Sequence, residues 1–214
     1  DPPRRGAQDA VMPLQNRVQP DGEIIAHPAR GGFMGNRGIL HDRNGLHPTR
    51  RWAHQNWVCC VLSFKGRQRR LMAQRHYTEL FFFDEAVAFA AGHRPCAECR
   101  GTDYRRFRAC CDVPGPAAAL DRQLHAERAV PRVFQQRRHA EVEARDLPTG
   151  SFILDHEGRC GLLFGDAFYP YAPSGYGSAK SRPCGHVTLL TPPSSVAAFR
   201  AGYRPQIALK DSVD

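Results

Sequence analysis

Cys96-Ala-Glu-Cys99 is the stretch of this chain best suited to chemistry. Two thiolates two residues apart on a tight turn can grip one Zn²⁺ at about 2.3 Å, while the N–H groups of the turn stabilise the sulfurs. A structural zinc needs four ligands, so the pair needs partners. Cys59 and Cys60 lie upstream on a predicted strand, His76 and His93 lie closer, and Cys110–Cys111 fall at the end of the next predicted helix. Cys60 with His76 or His93 is the preferred completion. The expected metal ligands are therefore Cys96, Cys99, Cys60 and His76, and Cys60 is also a candidate reactive thiolate. Two small buried thiols without a metal are the alternative. A redox pair is disfavoured because the expected strand-helix-strand context is missing.

A second constellation is Gly31-Gly-Phe-Met-Gly-Asn-Arg-Gly38, followed by His41-Asp42. Glycines let the backbone come close to a phosphate, and Asn36, Arg37, His41 and Asp42 are suitable groups for phosphodiester chemistry. This loop supports an enzyme alternative, a phosphodiesterase-type nuclease or a DNA glycosylase. It lacks the strand-loop-helix spacing of a nucleotide-binding loop, and a glycine-rich hairpin with solvated side chains explains the same residues. No Ser-His-Asp order or nucleophile elbow can be read.

The charge balance points the same way. Thirty basic residues against 21 acidic ones give a net charge of +9 over 214 residues, and 27 of the 30 are arginine. Such a field favours polyanions, and the guanidinium fork suits phosphate oxygens and base edges. A GC-rich coding sequence also enriches arginine without any function. Clusters at Arg67–Arg75 and Arg105–Arg108 make Arg69, Arg70, Arg105 and Arg106 candidate phosphate contacts, with DNA more favoured than RNA. The eight cysteines are unevenly spaced and include two adjacent pairs, which suits a reducing compartment. No apolar run reaches the roughly 20 residues of a membrane helix, and the opening residues show no apolar signal segment. A cytoplasmic location without a membrane partner is expected.

These side chains must be positioned by an α+β fold. Residues 1–20, rich in Pro, Arg and Gln, are expected to form a flexible arm. Residues 21–115 read as a β-rich region containing the Cys-x-x-Cys knuckle. Trp57–Phe64 and Tyr77–Phe83 are its clearest strands, and Val58, Cys60, Leu62 and Phe64 share one face. Asp84 is a good N-cap and Gly92 a good stop for a helix between them, and Thr102 opens a second helix through Cys111. Residues 116–146 read as a helical bridge, with a helix over about Ala117–Val130. Residues 147–214 return to strands at Ser151–Leu154, Cys160–Phe164 and Phe168–Tyr171. At an offset of 110 residues, Ala86-Val-Ala-Phe-Ala-Ala-Gly-His-Arg-Pro95 aligns with Val196-Ala-Ala-Phe-Arg-Ala-Gly-Tyr-Arg-Pro205. A strand-helix-Arg-Pro unit is thus expected twice, with Asp84 and Ser194 in the same capping slot.

The segment Phe81-Phe-Phe-Asp-Glu-Ala-Val-Ala-Phe-Ala-Ala-Gly-His-Arg-Pro-Cys-Ala-Glu-Cys-Arg100 resembles the second half of the zinc-binding domain of Ada-type DNA repair proteins. That family binds zinc through four cysteines, contacts the DNA backbone and transfers a methyl group from a phosphotriester to a zinc-bound thiolate. By position the resemblance implies Cys96 and Cys99 as ligands and Arg94 and Arg100 as phosphate contacts. The family's first cysteine pair would fall near Gly66–Arg70, where this chain has none, so the resemblance assigns no methyl acceptor. The chain as a whole is similar to bacterial proteins of uncharacterised activity. The expected function is zinc-stabilised nucleic-acid binding in DNA repair or processing, with the hydrolase and a non-catalytic interaction module as alternatives.

Overall fold

The computed structural model describes residues 12–67 and 70–209. Its architecture is α+β, with two main sheets and four α-helices. The first sheet runs Ile24–Ala26, Gln15–Val18, Leu80–Phe82, Phe33–Asn36, Val58–Cys60, Arg94–Pro95 in spatial order. The second runs His139–Glu143, His186–Leu189, Phe152–Leu154, Cys160–Phe164, Ala167–Ala172, Gly175–Tyr176, with Lys180–Ser181 also pairing on Ala167–Ala172.

Helix α1, Glu85–Ala90, sits at the centre, and every one of its residues is buried. A helix buried on all sides has no solvent face to offer, and Glu85 is its one charged residue. Ala86, Val87, Ala88 and Ala90 pack with Val18, Leu80 and Phe82 of the first sheet and with Phe152, Leu162 and Leu190 of the second half. Phe89 packs instead on Phe107, Leu120, Leu124 and Phe199, which come from α2 (Gly101–Cys110), α3 (Ala117–Arg128) and α4 (Pro193–Arg200). The two halves of the chain therefore share one core around this helix. Asp84 caps it as expected, accepting from the Val87 N–H at 2.9 Å.

Three expectations are corrected. Gln15–Val18 belongs to the first sheet rather than to a free arm: it pairs antiparallel with Ile24–Ala26 and parallel with Leu80–Phe82. Backbone pairing needs no apolar periodicity, and of the strand's two buried residues, Asn16 and Val18, only Val18 is apolar. Residues 1–11 of the expected arm lie outside the described residues. The helical bridge ends at Arg128. Beyond it, Ala129–Val130 and Gln135–Gln136 form a small hairpin, and His139–Glu143 becomes the edge strand of the second sheet. The repeated unit shares its helix stop but not its start. α4 begins on Pro192 rather than Ser194, whose N–H and hydroxyl donate to Glu127.

The stop itself is the same at both sites. Gly92 and Gly202 both have positive φ, +85° and +108°. Gly92 N–H bonds Phe89 O and His93 N–H bonds Ala88 O, just as Gly202 bonds Phe199 and Tyr203 bonds Ala198. Gly92 carries a second constraint, since a Cβ there would lie 2.3 Å from Cδ of the buried Arg128. Gly92→Ala should therefore destabilise the protein by about 1–3 kcal/mol from left-handed backbone strain, with the Arg128 clash adding to it. Urea unfolding checks this, and an unchanged midpoint would contradict it.

Candidate metal centre

The knuckle is positioned by strand pairing. Val58–Cys60 lies between Phe33–Asn36 and Arg94–Pro95, with Cys59 opposite Pro95. Cys96 N–H donates to Cys59 O at 3.0 Å, so the chain leaves the sheet edge beside Cys60. Residues 96–99 then turn, closed by Arg100 N–H on Cys96 O. Strand alternation does the rest. Cys59 points into the core, and its neighbour Cys60 is half-buried and faces the knuckle.

The sulfurs of Cys60, Cys96 and Cys99 all lie within 4.8 Å of one another. Thiolates on one tetrahedral zinc are about 3.8 Å apart given Zn–S bonds of about 2.3 Å, so a small closure would fit them to the ion. The backbone N–H groups of Glu98 and Cys99 favour the Cys96 thiolate, and the Val61 N–H favours that of Cys99. Hydrogen bonds of this kind stabilise the ligating, charged form of the sulfur. The donor set fits a borderline-soft divalent ion. Among the described residues no fourth Cys, His, Asp or Glu joins the group.

His76 is therefore not brought to the cluster. It is exposed, with its backbone N–H in a turn onto Ala73 O. His93 is fully buried elsewhere. Cys110 and Cys111 lie at the far end of α2, where burial pushes the Cys111 thiol up to about 12. An open groove of about 270 Å³ borders the cluster, lined by Phe33, Val61, Cys99, Arg100, Thr102 and Asp103.

The arginines expected to meet phosphates divide into two groups. Arg94 is buried and grips Asp121 with both ends of its fork, at 2.7 and 2.8 Å. Arg100 is buried too, donating to Glu85 at 2.6 Å, to Asp103 at 2.8 Å and to Cys59 sulfur at 3.4 Å. Both act as internal cross-links, which corrects the expectation that they face a ligand. Arg70, Arg105 and Arg106 are exposed, and Arg69 lies outside the described residues. Arg67, also exposed, pairs with Glu98 inside the knuckle at 2.7 Å and so holds the basic Lys65–Arg67 segment against it. That contact was not visible in the sequence, because only the fold brings Arg67 to Glu98.

The hydrolase residues engage separate partners. Arg37 is buried and donates to His93 Nε2 and Ala91 O. His41 is buried against Thr78 Oγ1 at 2.6 Å. Asp42 closes its own turn onto Asn44 N–H, and Asn36 accepts from Gly38 N–H. Among the described residues these contacts assemble no common site around Asn36, Arg37, His41 and Asp42.

Comparison with protein-family models, with curated proteins and with solved structures finds no match to this chain.

In the metal-free protein, the S–H of Cys60 and the turn N–H groups lower the Cys96 thiol from 9.0 to about 5, while Cys60 is held protonated. The folded value lies below the unfolded one, so the stability gained from the Cys96 thiolate is complete above pH 9.0 and is lost as pH falls toward about 5. Urea unfolding of reduced, metal-free protein should show stability falling across that window, with Cys96→Ser flattening the slope. A wild-type profile no steeper than the variant's would contradict this.

Proposed function

We propose that this chain is a zinc-stabilised nucleic-acid-binding protein acting in DNA repair or processing, with DNA as its preferred partner. The observation that carries this reading is the three-cysteine cluster flanked by two exposed basic segments. One is Lys65, Arg67 and Arg70; the other is Arg105 and Arg106 on α2, which starts directly after the knuckle. A metal joining Cys60 to Cys96 and Cys99 would fix the sheet edge and the start of α2 together. The flanking guanidinium groups would then meet a sugar-phosphate strand from a rigid frame, which is how phosphate contacts set register on nucleic acid. The net charge of +9 supports the same partner.

The arginine partition makes the reading testable. Affinity for a short DNA duplex should fall steeply between ~50 and ~200 mM salt. The double variant Arg105→Glu/Arg106→Glu should weaken binding and reduce the logarithmic salt slope by about 2, one per lost phosphate contact. Arg94→Gln should lower folding stability and leave that slope alone, because its guanidinium is committed to Asp121. Affinity that ignores salt, or a double variant that binds like the wild type, overturns the proposal.

A further inference from the structure

Arg37 and Arg128 are among the largest fully buried side chains of the protein. Both lie against the Trp57 ring, with guanidinium carbons 4.1 and 4.0 Å from its centroid. Their hydrogen-bond partners are all neutral. Arg37 donates to Ala91 O and to His93 Nε2, which can accept because His93 Nδ1 pairs with Val58 O. Arg128 donates to the carbonyls of Gly92 and Gln55.

The carboxylates nearest Arg128 are already taken. Asp121 is held by both ends of the Arg94 fork, and Glu127 accepts from Ser194 and Gln123. Two interior positive charges thus have no paired anion among the described residues, an arrangement proteins avoid unless a counter-charge is supplied. Burial disfavours the charge on both, and the Arg51 charge adds to the effect at Arg37.

Three buried nitrogens here are also without a partner: Arg128 Nε, His54 Nδ1 and His125 Nδ1. Arg128 is 1% exposed. Both histidines are held neutral by burial and by the Arg128 charge. The cluster reaches the surface through half-buried Trp52, His54 and His125. Trp52 packs on Trp57, His125 and Phe134 at 5.4, 5.6 and 4.8 Å between centroids.

We infer that Arg128, His54 and His125, walled by Trp52 and Trp57 and backed by Arg37, form a binding site for a phosphate group. Two uncompensated positive charges and three unused nitrogens call for a ligand of charge −1 to −2 with several acceptor oxygens. A single carboxylate offers only two acceptor oxygens, where a terminal phosphate offers three. The group could belong to free phosphate or to a nucleic-acid backbone. The site is separate from the cysteine cluster and does not rest on the reading given above.

Trp52 and Trp57 are the only two tryptophans of the chain, so intrinsic fluorescence reports on this site directly. Inorganic phosphate, titrated against chloride at matched ionic strength and pH, should change the emission along a saturable curve with a midpoint at or below ~1 mM. His125→Ala, on the half-buried wall, should raise that midpoint at least ~10-fold with unchanged circular dichroism. Arg128→Met should abolish the response where it folds. A DNA oligonucleotide that produces the same emission change, and is displaced by phosphate, identifies a phosphodiester as the source. One that binds without touching the emission leaves free phosphate as the ligand. Superimposable phosphate and chloride curves overturn the site, whatever becomes of DNA binding. A wild-type midpoint in His125→Ala does so equally.

Discussion

A single fully buried carboxylate, Glu85, ties the protein together. It sits in the first turn of the central helix and accepts from Arg100 at 2.6 Å, from the Tyr203 hydroxyl at 2.7 Å and from the Gln206 N–H at 2.7 Å. Its own N–H returns to Gln206 O. The neighbouring Asp84 accepts from Val87, from the Tyr176 hydroxyl and from the Ala208 N–H. Two consecutive acidic residues therefore bind the knuckle, the second sheet and the C-terminal segment to one helix end. A buried charge is tolerated only when its lone pairs are filled, so these contacts come as a set. Arg100 follows Cys99 directly, and its anchoring on Glu85 fixes where the knuckle stands.

Arginine serves three physical roles in this chain. Arg94 and Arg100 are interior cross-links with matched carboxylates. Arg37 and Arg128 are interior charges stacked on Trp57 with only neutral partners. Arg70, Arg105 and Arg106 face solvent. A weakly hydrated, planar guanidinium suits the two interior settings better than a lysine ammonium does. Only the last two groups leave charge available to a ligand.

What the sequence revealed depended on how far each interaction reaches along the chain. The Asp84 cap and the Gly92 stop act within one or two turns and were legible, as was the Cys96–Cys99 spacing. Alternation in Trp57–Phe64 separated Cys60 from Cys59 correctly, although the regular strand is only Val58–Cys60. His76 was a poor guess at a ligand because its placement rests on a loop whose path no local pattern dictates. Arg94 and Arg100 were misjudged for the same reason: their partners Asp121 and Glu85 lie 27 and 15 residues away. Gln15–Val18 was missed because a strand held by backbone pairing leaves little trace in side-chain periodicity.

The most direct test of the metal centre is zinc-edge X-ray absorption on the purified protein. Three sulfur scatterers at about 2.3 Å with one lighter neighbour are expected, since Cys60, Cys96 and Cys99 form the group within reach of one ion. A shell of four sulfurs, or folded protein that takes up no zinc, would contradict the account.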